Sequence, residues 1–138
     1  MVDAQAVVEE LVDTINAHDA AAGTRLYDPR VRAISAAGRH LDRRGLEQIL
    51  ESTVTAFPDL RVEIVRWIVD GDTVVTEEVM SGTHRGTFAG LEPTGRRVRL
   101  PMMHLTRVCD GHIIERIAYH DTAGILRQLE APDSDEPW

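Results

Sequence analysis

Leu100-Pro-Met-Met-His-Leu-Thr-Arg-Val-Cys109, then Asp110-Gly111, then His112-Ile-Ile-Glu-Arg-Ile-Ala-Tyr-His-Asp121 is the stretch that decides the fold. Asp-Gly between two alternating apolar runs predicts a tight β-hairpin. With those residues as the turn, Cys109 pairs with His112, Val108 with Ile113, His104 with Ile117, Met102 with Tyr119 and Leu100 with Asp121. Every second side chain of a strand lies on one face. Leu100, Met102, His104, Thr106 and Val108 therefore share a face with Ile113, Glu115, Ile117, Tyr119 and Asp121. That face is mostly apolar and is expected to point inward, with His120 pointing the other way, to the surface or an interface. A carboxyl and an imidazole on an apolar inner face predict a lined pocket capable of acid/base chemistry, because desolvation raises a carboxyl toward neutrality.

The chain has 138 residues, 43% of them apolar, and a net charge of −8. That length fits one domain over residues 1–130, with 131–138 as an acidic, flexible tail. The acidic balance argues against nucleic acid as partner, since phosphate binding needs a basic surface. No apolar run reaches membrane-spanning length and no basic segment precedes an apolar block, so a cytoplasmic protein without a membrane partner is expected. The single Cys109 excludes an internal disulfide and a thiolate metal cluster. Without a His-x-x-x-His or a comparable cluster, no metal site is expected. Gly86, Gly90 and Gly95 lack the strand–loop–helix context of a phosphate loop, and no Gly-x-Ser-x-Gly element occurs.

Outward from the hairpin, apolar residues at helical spacing predict a helix over 3–18 with Asp3 as cap, a shorter one over 20–26 behind Asp19, and a third over 43–56 behind Asp42. Val31 to Ala36 alternates weakly, as a short strand. Strands over 60–69 and from 73 to about 86 flank Asp70-Gly71-Asp72, and 87–95 is a Gly/Pro-rich loop. Residues 121–129 resume a helical period. Helices first and strands after predict an α+β fold: a curved antiparallel sheet forming a cone, three N-terminal helices and a short C-terminal one, with a central ligand cavity.

Gly82-Thr-His-Arg-Gly-Thr-Phe-Ala-Gly-Leu-Glu-Pro-Thr-Gly-Arg96 resembles the signature loop of the SnoaL-like polyketide cyclases. Phe57-Pro-Asp-Leu60, Arg107 to Glu115, and Asp121 followed by Leu126-Arg-Gln-Leu129 resemble that family too. The likeness is strong over about 57–129 and is one of helix layout before that. It implies the cone fold shared with ketosteroid isomerase and scytalone dehydratase, a homodimer, no cofactor and a hydrophobic polyketide or polycyclic substrate. It further implies that Asp121 is the general acid/base of an intramolecular aldol closure, with His104 lining the same pocket and Asn16 a further candidate. The chain departs from the family at Glu77-Glu78, where many members have Arg-Trp, at Ile117, where many have Trp, and at Glu130.

The expected catalytic residues are thus Asp121, as proton acceptor from carbon, and His104, stabilising the oxyanion with Asn16 or a water. Asn16, Trp67, His84, Met102, Ile117 and Tyr119 are the expected substrate contacts. Each has a plainer reading beside it. Asp121 before Thr-Ala-Gly is a good helix cap, His104 and the methionines are possible core residues, and His84 can serve loop architecture. Opening of an epoxide by the same groups, and a non-catalytic binding or accessory role, stay open alternatives to aldol closure.

Overall fold

The computed structural model describes residues 3–130; the expected tail, 131–138, lies outside the described residues. Each helix begins where an aspartate accepts a hydrogen bond from an otherwise unpaired N–H of the first turn. Asp3 does this for α1 (Ala4–Asn16), Asp19 for α2 (Ala20–Thr24) and Asp42 for α3 (Arg43–Ala56). Asp121 does it for α4 (Thr122–Glu130), its Oδ1 accepting from Gly124 N at 2.9 Å. No helix of the described residues is long and apolar enough to cross a membrane.

The strands are β1 (Tyr27–Ile34), β2 (His40–Leu41), β3 (Arg61–Asp70), β4 (Thr73–Thr83), β5 (Arg97–Cys109) and β6 (His112–His120). They form one sheet in the order β2-β1-β6-β5-β4-β3. The α+β architecture is as expected, with a refinement. β1 runs parallel to β6, so the sheet is mixed rather than wholly antiparallel. β1 also begins at Tyr27, earlier than the weak alternation from Val31 suggested. Its pairing with β6 spans most of the chain and leaves no local signal.

The β5–β6 hairpin turns at Asp110 (φ 50°) and Gly111 (φ 78°), both in the left-handed region that a two-residue turn of this hand requires. Cys109 pairs with His112 and Val108 with Ile113, as the sequence predicts. Beyond them Arg107 pairs with Glu115, so Ile114 is an extra residue on β6, a β-bulge. The bulge corrects every pairing after it. His104 faces Ala118 rather than Ile117, and Met102 faces His120 rather than Tyr119. A one-residue slip exchanges the faces of a strand. Arg116, Ala118 and His120 therefore turn inward, while Glu115, Ile117 and Tyr119 turn outward.

The core has two parts. One gathers Phe57, Leu60, Met80, Leu100, Ile125 and Leu129; the other gathers Val8, Leu11, Val74, Val108 and Ile113. Along the inner face the register places Thr76, His104, Thr106, Arg116 and Glu78 between them. α1, α2 and α3 roof this strip and leave a cavity beneath them.

Candidate active site

The cavity has a volume of about 170 Å³ and a mainly apolar wall, supplied by α1–α3 and by the inner faces of β1 and β3–β6. Its polar groups come from neighbouring rows of the sheet. Thr76 on β4 lies opposite His104 on β5, and His104 lies opposite Ala118 on β6. One row on, Glu78, Met102 and His120 stand side by side; in the other direction Thr106 stands beside Arg116. Alternation along three paired strands thus converges six polar side chains on one wall.

These groups form a chain of hydrogen bonds. Glu78 Oε2 accepts from Thr76 Oγ1 at 2.5 Å and from His104 Nδ1 at 2.8 Å. His104 Nε2 meets His120 Nε2 at 3.3 Å, the rings being nearly perpendicular at 72°. Arg116 Nη1 donates to Thr106 Oγ1 at 2.8 Å. Glu78 is 1% exposed and His104 7%, so bulk water screens neither.

Burial sets the protonation states. It would raise Glu78, but the His104 contact, the Arg116 charge and the Thr76 hydroxyl outweigh it and hold the carboxyl below its ordinary range. Burial, helped by Arg116, lowers His104 despite the attraction of Glu78. Burial and the neighbouring His104 bring His120 down to about 4. At neutral pH the chain is therefore one carboxylate and two neutral imidazoles. An ionised Glu78 can only accept, so His104 carries its proton on Nδ1 and offers a lone pair at Nε2. His120 then donates from Nε2, which leaves its Nδ1 an acceptor with no partner among the described residues, on a ring that lines the cavity.

The low His120 value fixes a pH dependence of stability. Unfolded histidine titrates near ~6.5. Between there and about 4 the unfolded chain binds more protons, so stability falls on acidification through that window. For this partly exposed group the loss is roughly 2 kcal/mol after discounting for screening. Urea unfolding at intervals from pH 7 to 4 is expected to show it, with a flatter profile in His120→Gln.

Of the expected site residues, His104 and Met102 line the cavity. Asp121 and Tyr119 do not: the bulge turns β6 so that Tyr119 is 66% exposed and Asp121 lies outside, capping α4 with Arg127 Nη2 4.0 Å away. The cap requires glycine at 124, where a Cβ would lie 2.2 Å from the Asp121 carboxylate. Asn16 is spent on the backbone of β3, donating to Val62 O at 2.9 Å and accepting from Val62 N at 2.7 Å. Trp67 packs against the second core cluster and Ile117 lies on the outer face, so neither reaches the cavity. His84 is fully buried outside it, against Phe57, its Nδ1 accepting from Thr94 N at 3.2 Å; it orders the loop after β4. Glu78, Arg116 and His120 are the cavity residues that sequence reasoning missed. Glu78 stood out only as a departure from the family pattern, and parity without the bulge sent Arg116 and His120 outward. Among the described residues no three or more His, Cys, Asp or Glu side chains group as metal ligands.

The pattern of the SnoaL-like polyketide cyclases matches residues 5–129. The chain is similar to the nogalonic acid methyl ester cyclase of Streptomyces nogalater, 34% identical over 73% of this chain and 77% of that protein. It is also similar to the aklanonic acid methyl ester cyclase DnrD of Streptomyces peucetius, 31% identical over 58% of this chain and 52% of that protein. Among solved structures, IdmH from Streptomyces antibioticus superimposes with a TM-score of 0.83 at 28% identity, covering 93% of this chain and 99% of that one. By sequence pattern, relatives and fold together, the chain belongs to the SnoaL-like polyketide cyclase family and is an enzyme of that class.

Proposed function

We propose that the enzyme closes a ring in a polyketide acid methyl ester by intramolecular aldol addition, with His120 as the general acid/base. The observation that carries this is the Glu78–His104–His120 chain on the wall of an apolar cavity. His120 Nδ1 takes a proton from carbon next to a carbonyl, and the enolate carbon bonds to a second carbonyl carbon. The imidazolium then returns the proton to the new alkoxide, so substrate and product are isomers. Glu78 and His104 hold the His120 ring in one tautomer and offset its transient charge. The apolar walls confine a flexible chain near its reactive shape, which lowers the entropic part of the barrier.

The two relatives act on nogalonic and aklanonic acid methyl esters by name, and these are the substrates to test first. Incubation in D₂O is expected to give a cyclised product of unchanged composition, with deuterium at carbons that exchange during turnover. Unreacted ester that binds without exchange would leave a binding protein instead.

The outer face of the sheet supports a partner as well. Met103 and Tyr119 pair across β5 and β6 and are 43% and 66% exposed, beside an Arg66–Glu77 contact in the same row. Ile68 (53%) and Val65 (57%) extend the patch. Such a contiguous apolar face suits a second copy packed about a two-fold axis. Sedimentation is expected to give a dimer for the native chain and a monomer for Tyr119→Asp; a native monomer would refute it.

A further inference from the structure

Beyond His120, the cavity holds donors that the ring closure described above does not use. Tyr27 is 7% exposed and lines the cavity at the end where β1 pairs with Ile113 of β6. Its hydroxyl has no hydrogen-bond partner among the described residues. Burial raises its pKa, with the Arg116 charge opposing and Glu78 adding, so the phenol keeps its proton. Arg116, 6% exposed, has five N–H donors and uses Nη1 on Thr106. His84 Nε2 alone is sealed and unpaired among the described side chains. The spare donors of Tyr27 and Arg116 are therefore not sealed in the core, and both residues line the cavity.

A buried phenol and guanidinium normally find acceptors. Here the near carboxylate, Glu78, accepts from Thr76 and His104 at Oε2, and neither Tyr27 nor Arg116 hydrogen-bonds to it among the described residues. We infer that Tyr27 and Arg116 form a subsite that takes an acceptor oxygen of the ligand, a ketone, quinone or ester carbonyl, on the wall of the cavity. This deepens the ring-closure proposal and rests on the same cavity. From Arg116 to His120 is four residues along β6, roughly 13 Å at the strand rise. A ligand held by its oxygen at that end can present carbon to His120 farther along the same wall.

The test compares 1-tetralone with tetralin, the same bicyclic frame with and without a carbonyl, by NMR titration of the full chain. A merely apolar cavity favours tetralin, because an unpaired carbonyl is costly to bury. The subsite predicts that 1-tetralone binds more tightly. Tyr27→Phe keeps the volume and is expected to leave tetralin affinity unchanged while lowering the tetralone-to-tetralin ratio about tenfold. Arg116→Lys is expected to lower the same ratio with the fold confirmed by its NMR spectrum. An unchanged ratio in both variants, an equal loss of both probes, or no binding of 1-tetralone to the native chain would overturn the subsite. Failure of ring closure shows instead as absent turnover with the ratio intact, so the two proposals fail separately.

Discussion

Replacing His120 by alanine is expected to slow ring closure by about 10²- to 10⁴-fold, the range for loss of a general acid/base. Substrate affinity should change little, because the ring is one side of a wall that also includes Met80, Met102 and Ala118. Added imidazole should restore part of the rate in this variant and none in the native enzyme, since the deleted ring leaves a space beside His104 Nε2. Asp121→Asn is the necessary companion. Asparagine caps helices as well as aspartate, so this change should leave both turnover and stability near native values. The opposite pattern, a silent His120→Ala and an inactive but folded Asp121→Asn, would return the proton transfer to Asp121 and require the last turn of β6 to rearrange in the working enzyme.

Glu78→Gln is expected to cost about 3 kcal/mol or more of stability, the scale for breaking a buried ionic group's partnership. The carboxylate is 1% exposed, accepts from Thr76 and His104, and balances the buried Arg116. The amide is nearly isosteric but removes the negative charge and brings two donors into a place where Thr76 and His104 already donate. It also frees His104 to take its other tautomer, which would force His120 to reverse its own. Turnover should therefore fall as well, with an altered pH profile rather than a simple loss of folded protein. Chemical unfolding at neutral pH checks the first part. The acid limb of the rate, compared at a temperature where both forms are folded, checks the second. A variant of native stability would mean that Glu78 is not the charge partner of this wall.

Much of the fold was legible because its signals are local. Asp3, Asp19 and Asp42 stood just ahead of helical periods and each caps a helix. Asp110-Gly111 has the positive φ pair that its residues suggested. The site was less legible, for a mechanical reason. Parity counting carries information along a strand only while the ladder is regular, and Ile114 breaks it before Arg116, Ala118 and His120. His104 lies before the break on the opposite strand and was placed correctly; Tyr119 and Asp121 lie after it and were not. Glu78 was hidden for another cause. Its strand alternates cleanly, but an acidic residue in an exposed-looking Glu77-Glu78 pair gives no hint that one carboxylate is solvated and the other is held by a threonine and a histidine.

The bulge at Ile114 also bears on how such an enzyme can change. Removing that one residue would restore a regular ladder and rotate the rest of β6 by half a turn. Ile117 and Tyr119 would then fill the inner wall, and Arg116 and His120 would go to the outside. A three-nucleotide deletion would thus exchange Arg116 and His120 on the β6 side of the wall for Glu115, Ile117 and Tyr119, while Glu78 and His104 keep their places on β4 and β5. One insertion or deletion near this hairpin thus changes several pocket-facing residues at once, where a substitution changes one.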